Sequence, residues 1–236
     1  MIPKIIHQAW CPIPPERPWK TKEIPSRFKP CVESIKKHLP DWEYKLWTLE
    51  SSRSLIEEKY NWFLETYDNF DHDICRLDAA RFFYLHAYGG VYFDIDVTIN
   101  KNFNLNNTNN DCVLFDYTIG SQSFTSKGYS FIMDSFCMAS TPGHPFMKSG
   151  MRALRSGRLL KLCDLSTNRD NFNIMMVAGP GFLTALYNLY KDKYDIQVMT
   201  DKFIPGKLDL TEQQIKDIGD YWGIHHNIAS WSDRPR

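Results

Sequence analysis

A helix, a glycine pair and a short apolar strand that ends in two aspartates follow one another between residues 73 and 96. Apolar side chains recur at helical spacing in the first part, at Ile74, Leu77, Leu85 and Tyr88. Gly89 and Gly90 predict the end of this helix, and Val91-Tyr92-Phe93 predicts a strand that continues directly into Asp94 and Asp96. A helix joined so tightly to a strand restricts the chain to folds in which helices cover a sheet.

The rest of the chain alternates between helical and extended patterns. Strands are predicted over residues 5–10, 41–47 and 112–115, and helices over residues 26–39, 51–67, 145–160 and 181–190. This alternation favours an α/β fold with a mainly parallel sheet. With 236 residues, no internal repeat and no linker, the chain is expected to form a single domain, residues 1–236.

The charge balance excludes some classes of function. The 28 Lys and Arg residues equal the 28 Asp and Glu residues, which argues against a protein that binds nucleic acid through bulk phosphate contacts. No stretch approaches the roughly 18 apolar residues of a membrane span, and the N-terminus lacks the long apolar region of a signal peptide. We therefore expect a soluble, cytoplasmic protein with no integral membrane span, and a bacterial or viral source is compatible with this.

The six cysteines are scattered and form no Cys-x-x-Cys pair, which argues against a zinc knuckle or a redox motif. Cys75, Cys112 and Cys137 lie in apolar patterns. Buried free thiols are therefore favoured over disulfides.

Asp94 and Asp96 are the first candidates for chemistry. Residues two apart on an extended segment point to the same side, so both carboxylates can face one cleft while Ile95 faces the core. Two such oxygen ligands at a strand end suit Mg²⁺ or Mn²⁺, above all when a diphosphate completes the coordination. A second Asp-x-Asp, at residues 71–73, stands at the start of the predicted helix, where acidic residues favour the helix N-terminus.

Asp78 and Arg81 share one face of the same helix, which is otherwise mostly apolar. They form either an intrahelical ion pair or a polar pair that holds a sugar, with the carboxylate accepting from hydroxyls and the guanidinium donating to oxygens. Trp10 follows the first strand and is either a core residue or a residue at the edge where α/β sheets bind ligands.

His225 and His226 are adjacent near the C-terminus. Neighbouring residues on a strand face opposite sides, so at most one of them is expected to reach a given site. The alternative is one buried histidine with satisfied hydrogen bonds and one in solvent.

Taken together, these segments resemble glycosyltransferase family 32, whose members carry a DXD sugar-binding region, including its capsular-polysaccharide-type and α-1,6-mannosyltransferase-like members. Residues 2–10 and 40–48 resemble the first two strands of that family. The central signature is matched in residue type and spacing by Asp78-Ala79-Ala80-Arg81, Leu85, Gly89-Gly90-Val91-Tyr92 and Asp94-Ile95-Asp96. Its later motifs are matched by residues 143–146, residues 179–181 and His225-His226-(three residues)-Ser230-Trp231.

The resemblance implies a GT-A fold, an α/β architecture in which a Rossmann-like mixed sheet is flanked by helices. The donor would bind in the part before about residue 100, and the segment from there to residue 236 would form the acceptor side and close the site. It also implies a retaining transfer of a hexose from a nucleotide sugar, UDP-sugar first, to a glycan, lipid-linked or protein acceptor, with Mn²⁺ or Mg²⁺ as cofactor.

The resemblance carries roles over by position to the central residues. Asp94 would contact ribose or sugar hydroxyls and reach the metal through water, while Asp96 would bind the metal directly. Asp78 and Arg81 would hold the donor hexose.

The terminal segments would complete the donor site. Trp10 would stack on the nucleobase. His225, in preference to His226, would contact the metal or the diphosphate. Ser230 and Trp231 would bind the β-phosphate of the leaving group.

Three positions depart from the family pattern: Leu77, Ser135 and Ala178. Since Ser135 and Ala178 are expected near the donor or acceptor, the identity of the sugar does not carry over. No carboxylate stands out as a nucleophile, so a same-face attack by the acceptor hydroxyl is the expected route to retention. Two alternatives stay open: a nucleotide-sugar hydrolase with the same metal site, and an inactive sugar-binding protein on this fold.

Overall fold

The computed structural model describes residues 1–10, 23–106, 108, 111–116, 133–157, 159, 175–206 and 219–227. Within them the helices are α1 (Lys29–His38), α2 (Leu49–Lys59), α3 (Leu64–Asp68), α4 (Asp73–Tyr88), α5 (Pro145–Ser156) and α6 (Pro180–Tyr190). The strands are β1 (Ile5–Ala9), β2 (Glu43–Trp47), β3 (Gly90–Phe93), β4 (Val97–Ile99), β5 (Cys112–Asp116), β6 (Met133–Ser140), β7 (Gln197–Thr200), β8 (Phe203–Pro205) and β9 (Gly223–His225).

The central sheet has the strand order β2-β1-β3-β6-β5-β7. β1 is parallel to β2 and β3, and β5 is parallel to β7, whereas β6 runs antiparallel to both β3 and β5. The sheet is therefore mixed, as the family resemblance implied, and it is also mainly parallel, as the alternation of elements predicted, since five of its six strands run in one direction. The reversed strand is β6, which the sequence patterns did not predict.

A second sheet has the order β4-β9-β8, with β4 antiparallel and β8 parallel to β9. β4 follows the Asp94–Asp96 segment almost directly, and β9 ends at His225. Because Val97 pairs with His225 in this sheet, a residue far along the chain is brought beside the two aspartates.

Buried side chains pack on both faces of the central sheet. Tyr92 of β3 belongs to the cluster that includes residues of helices α2 to α6, while its neighbours Val91 and Phe93 belong to a cluster with α1, β4 and β8. This division follows from the alternation of side chains along a strand. α4 is buried along most of its length, which explains why its apolar residues extend beyond one stripe.

The glycine pair after α4 allows β3 to lie close to β1. Gly90 has φ 96°, and a Cβ there would stand 2.4 Å from the carbonyl oxygen of Ile5. Gly89 has φ 65°, and its Cβ would stand 2.7 Å from Cδ of Pro142. A side chain at either position would push the strand away, so the turn requires glycine.

His7 on β1 is buried and holds this glycine turn through a hydrogen bond. Trp47 Nε1 donates to His7 Nδ1 at 3.0 Å, so Nε2 carries the proton and donates to the carbonyl oxygen of Gly89 at 2.8 Å. Burial lowers the pKa of His7 to about 4, so the ring is neutral at physiological pH.

Most predicted elements agree with the structure. α4 has the predicted bounds, whereas the helix expected over residues 51–67 is divided into α2, a 3₁₀ turn at Asn61–Phe63, and α3. Cys31, Cys75, Cys112 and Cys137 are buried free thiols, and Cys11 and Cys163 lie outside the described residues. The assignment of residues 1–236 to one domain with a donor and an acceptor part stays a prediction.

Among the described helices, none combines the length and the apolar character needed to cross a membrane.

Candidate active site

The aspartate pair occupies a turn held by backbone and side-chain hydrogen bonds. The amide of Asp94 donates to the carbonyl oxygen of Phe136 on β6 at 2.8 Å, and Gln8 Nε2 donates to the carbonyl oxygen of Asp94 at 3.0 Å. Gln8 is itself fixed, since the hydroxyl of Tyr44 donates to its Oε1 at 2.7 Å. The turn is therefore positioned by β1 and β6, the strands on either side of β3.

His225 lies beside both carboxylates. Its Nε2 is 3.6 Å from Asp96 Oδ1 and 4.0 Å from Asp94 Oδ2. One ligand atom from each of these three residues lies within 4.8 Å of the others. The pairing of β4 with β9, which sets Val97 opposite His225, brings the imidazole beside the two carboxylates.

His226 points away from the carboxylates. Its Nε2 is 2.9 Å from the hydroxyl of Thr98, and its amide donates to the carbonyl oxygen of Asp96 at 3.1 Å. Both histidines are buried, so the alternative with one of them in solvent is wrong. The expectation that the two rings face different surroundings agrees with the structure.

The carboxylates around His225 determine its charge. Burial alone would lower the pKa of His225, but Asp96, Asp134 and Asp94 raise it to about 9. Burial also raises the pKa of Asp94, against the lowering effect of Arg81. The cluster thus concentrates negative charge that an imidazolium or a bound cation would balance.

Arg81 on α4 connects that helix to the turn. Its Nη2 forms an ion pair with Asp78 Oδ1 and another, at 3.0 Å, with Asp94 Oδ1. Its Nη1 donates to the hydroxyl of Ser135 at 2.6 Å and to the carbonyl oxygen of the same residue at 3.1 Å. Asp78 and Arg81 therefore form an intrahelical ion pair that also reaches the aspartate turn. That they hold a sugar stays a prediction.

Asp78 is enclosed by the start of α6. A Cβ on Gly179, the residue before that helix, would stand 3.2 Å from Asp78 Oδ2. Burial raises the pKa of Asp78 to about 6, against the effect of Arg81. Ser135 and Ala178, which depart from the family pattern, are both buried, and Ser135 contacts Arg81 directly.

Asp134 on β6 belongs to the site and was missed by the sequence analysis. Its Oδ2 is 3.8 Å from His225 Nδ1, on the opposite side of the ring from Asp94 and Asp96. His225 also stacks on Phe136, with ring centroids 4.3 Å apart. Met133–Ser140 mixes polar and apolar residues without a clean alternation, so no strand was predicted there and no local signal singled out Asp134.

Trp10 is 4% exposed and packs with Phe28, Val32 and Ile95. Its Nε1 has no hydrogen-bond partner within the described part of the chain. Base stacking by Trp10 stays a prediction, and Ser230 and Trp231 lie outside the described residues.

Residues 25–114 match a family described as a glycosyltransferase sugar-binding region containing a DXD motif. The chain is 32% identical over 83% of its length to inositol phosphoceramide mannosyltransferase 3 of Schizosaccharomyces pombe, covering 48% of that protein. It is 34% identical over 81% of its length to mannosyl phosphorylinositol ceramide synthase SUR1 of Saccharomyces cerevisiae, covering 43% of it. Over its central signature and most of its length the chain is therefore similar to the DXD-containing glycosyltransferases.

The chain spans about half the length of the curated relatives it matches. A solved structure of the UDP-bound glycosyltransferase domain from the YGT toxin superposes with a TM-score of 0.53, covering 84% of this chain and 79% of that one. At 9% sequence identity this likeness concerns the fold alone, which is GT-A.

The cluster of Asp94, Asp96 and His225 fits a divalent cation. Two carboxylates and an imidazole are oxygen and nitrogen ligands that Mn²⁺ and Mg²⁺ accept, with the imidazole better suited to Mn²⁺. Asp134, on the other ring nitrogen, is placed where a carboxylate orients a ligating histidine. Nε2 of His225 would then face the cation together with Asp94 and Asp96.

Proposed function

We propose that this protein is a metal-dependent, retaining hexosyltransferase that moves a sugar from a nucleotide sugar to a glycan, lipid or protein acceptor. The observation that carries the proposal is the contact between two groups of residues. Asp94, which belongs to the candidate cation site, is 3.0 Å from Arg81, which also forms an ion pair with Asp78. A cation-held diphosphate and a sugar held by Asp78 and Arg81 would therefore be neighbours, as the two halves of a nucleotide sugar are.

The donor-side residues act through position and charge. Arg81 is buried and held by Asp78, Asp94 and Ser135, and its guanidinium would donate to a sugar oxygen. The Asp78 carboxylate can accept from a sugar hydroxyl. Because both side chains are fixed by protein contacts, they would orient the hexose with little loss of entropy in the bound state.

The reaction breaks the bond between the anomeric carbon and the diphosphate oxygen and forms a bond to the acceptor oxygen. A divalent cation, when bound, stabilises the negative charge that grows on the leaving diphosphate. Asp94, Asp96 and His225 would hold the cation beside the diphosphate, and Asp134 would keep the imidazole of His225 oriented. For retention, the acceptor hydroxyl attacks from the face the diphosphate leaves, and its proton passes to the departing phosphate oxygen.

The relatives narrow the choice of substrates. The names of two of them specify transfer of mannose to inositol phosphoceramide. We therefore propose mannose as the first candidate sugar and a phosphoinositol-bearing lipid as the first candidate acceptor. The uridine donor predicted from the resemblance stays a prediction, and a guanosine donor is tested beside it.

The test is a panel of UDP- and GDP-hexoses assayed with Mn²⁺ by release of nucleotide and by product mass. Each donor is offered without acceptor, with inositol phosphoceramide, with a simple mannoside and with a protein. We expect nucleotide release that depends on one acceptor, and NMR of the product should show the donor's anomeric configuration. Release that is the same with and without every acceptor would identify a hydrolase instead, and no release with any donor would favour an inactive sugar-binding protein.

A further inference from the structure

Helix α5 presents a stripe of positive charge to solvent. Lys148, Arg152 and Arg155 are all exposed and are spaced four and three residues apart, which places them on one face. The opposite face of the helix, with Phe146, Met147, Met151 and Leu154, is buried in the core. Because this opposite face is buried, the helix is fixed and the three positive charges keep their places on the surface.

The stripe has no counter-charge among the described residues. α5 contains no acidic residue, and within the described chain no carboxylate forms an ion pair with Lys148, Arg152 or Arg155. Other surface arginines differ, since Arg53 pairs with Asp68 and Arg76 with Asp73. In a chain of zero net charge, three unpaired cations on one face are a local excess.

The stripe borders a groove of about 550 Å³ that also includes Trp62 and Ser156. Trp62 is 39% exposed, and the guanidinium carbon of Arg155 lies 5.5 Å from the centroid of its ring. A volume of this size accommodates a polar headgroup. An exposed tryptophan next to cations is typical of surfaces that meet the headgroup region of a membrane, since its ring is apolar and its N–H is polar.

The groove is separate from the candidate active site. α5 packs directly on α4, since a Cβ on Gly150 would stand 2.5 Å from Phe82. Trp62 is near Phe83 of the same helix, with ring centroids 6.4 Å apart. The groove thus lies on the outer side of the helix layer, and the aspartates and His225 do not line it.

We propose that this groove binds the phosphate headgroup of anionic phospholipids and holds the domain at a membrane surface. Lys148, Arg152 and Arg155 would surround the phosphate, while Trp62 would lie at headgroup level. Basic residues near an anionic membrane surface contribute additively, so three of them give roughly a 100-fold preference for anionic over neutral vesicles. The site is a feature beyond the transfer reaction and does not depend on which sugar or acceptor is used.

The experiment is co-sedimentation of the full chain with vesicles of phosphatidylcholine, with and without phosphatidylinositol. The test variant carries Lys148→Ser, Arg152→Ser and Arg155→Ser, and the control variant carries Lys29→Ser, Lys37→Ser and Lys191→Ser, which removes the same charge from exposed positions elsewhere. We expect the wild type and the control to bind anionic vesicles on the order of 100-fold better than neutral ones. The test variant should lose most of that preference while its circular dichroism is unchanged, and Trp62→Ala should weaken binding to both vesicle types.

Three results would overturn the proposal. One is equal loss in the test and control variants, which would mean that only overall charge matters. Another is tight binding of soluble inositol phosphate in the groove without vesicle binding, which would make it a site for a free anion. The third is no vesicle binding by the wild type. Nucleotide release with a soluble acceptor, measured on the same variants, should be unchanged, so a failure here leaves the transfer proposal separately testable.

Discussion

Arg81 Nη2 lies 3.0 Å from Asp94 Oδ1, and this contact joins helix α4 to the turn that carries the DXD aspartates. The same guanidinium contacts Asp78 and Ser135, so the Arg81 side chain joins three segments of the chain. Asp94 is steadied further by the hydroxyl of Tyr92, which donates to its Oδ1 at 2.9 Å.

Arg81→Lys keeps the positive charge at this position, but it should still disturb the site. A lysine has no planar fork and cannot satisfy Asp78, Asp94 and Ser135 together. We expect a loss of roughly 1–3 kcal/mol in the free energy of unfolding, and a fall in transfer rate on the order of 100-fold because the sugar-holding groups move. Urea denaturation and nucleotide-release assays measure the two effects.

The matched control is Arg53→Lys, which changes the same residue type in an exposed pair with Asp68. Exposed pairs contribute little, so its stability should stay close to that of the wild type. Equal effects of the two substitutions would contradict the role given to Arg81.

Asp134→Asn tests the positioning of His225. Removing the charge beside Nδ1 should weaken Mn²⁺ binding about 10–100-fold, because a carboxylate on the far nitrogen orients a ligating histidine and raises its basicity. Isothermal titration with Mn²⁺ measures the affinity without any turnover. Asp111→Asn, an exposed aspartate on the surface, should leave the affinity unchanged, and an unchanged affinity in Asp134→Asn as well would remove Asp134 from the site.

Substitutions of the two adjacent histidines should have different effects on Mn²⁺ binding in the same titration. His225→Ala removes a proposed ligand and should abolish most Mn²⁺ binding, whereas His226→Ala removes a hydrogen bond to Thr98 and should mainly lower stability. A loss of roughly 1–3 kcal/mol is expected for the latter, because Thr98 is buried. The reverse pattern, with His226 needed for the metal, would contradict the assignment.

His7 predicts a pH dependence of folding. Its pKa is about 4 in the folded protein, against 6.5 for an ordinary histidine, so the unfolded chain binds more protons between these pH values. Stability should be fully present above pH 6.5 and fall as the pH drops towards 4, by about 3 kcal/mol from this residue. In urea denaturation series, His7→Gln should be less stable at pH 7 and show a smaller drop over this range than the wild type. An identical drop in both proteins would mean that other groups cause it.

The sequence was sufficient for the parts of the fold that local patterns determine. α4, the glycine turn and the strand into Asp94 were predicted because helical spacing, glycine and an apolar strand follow one another without interruption. β6 was missed because Met133–Ser140 mixes polar and apolar residues without a clean alternation. Its antiparallel position, and with it the placement of Asp134, depends on pairing with β3 and β5, which a local pattern does not reveal.

The site could be predicted in its composition but not in its contacts. Family resemblance drew attention to Asp78, Arg81, Asp94, Asp96 and His225, and the structure places these side chains together. The ion pair from Arg81 to Asp94 and the hydrogen bond from Gln8 to Asp94 required the sheet to be assembled first. The same holds for Ser135, which sequence comparison identified only as a departure and which proves to hold Arg81.

The most direct test of the central claim is the Mn²⁺ dependence of nucleotide release in the wild type and in Asp96→Ala. Asp96 contributes a carboxylate to the candidate cation site, and the backbone contact that holds its position, from the amide of His226, survives the substitution. We predict that the wild type requires Mn²⁺ or Mg²⁺, and that Asp96→Ala keeps its circular dichroism spectrum but loses Mn²⁺ binding and transfer by at least 100-fold. A folded Asp96→Ala protein with unchanged, acceptor-dependent turnover would contradict the account.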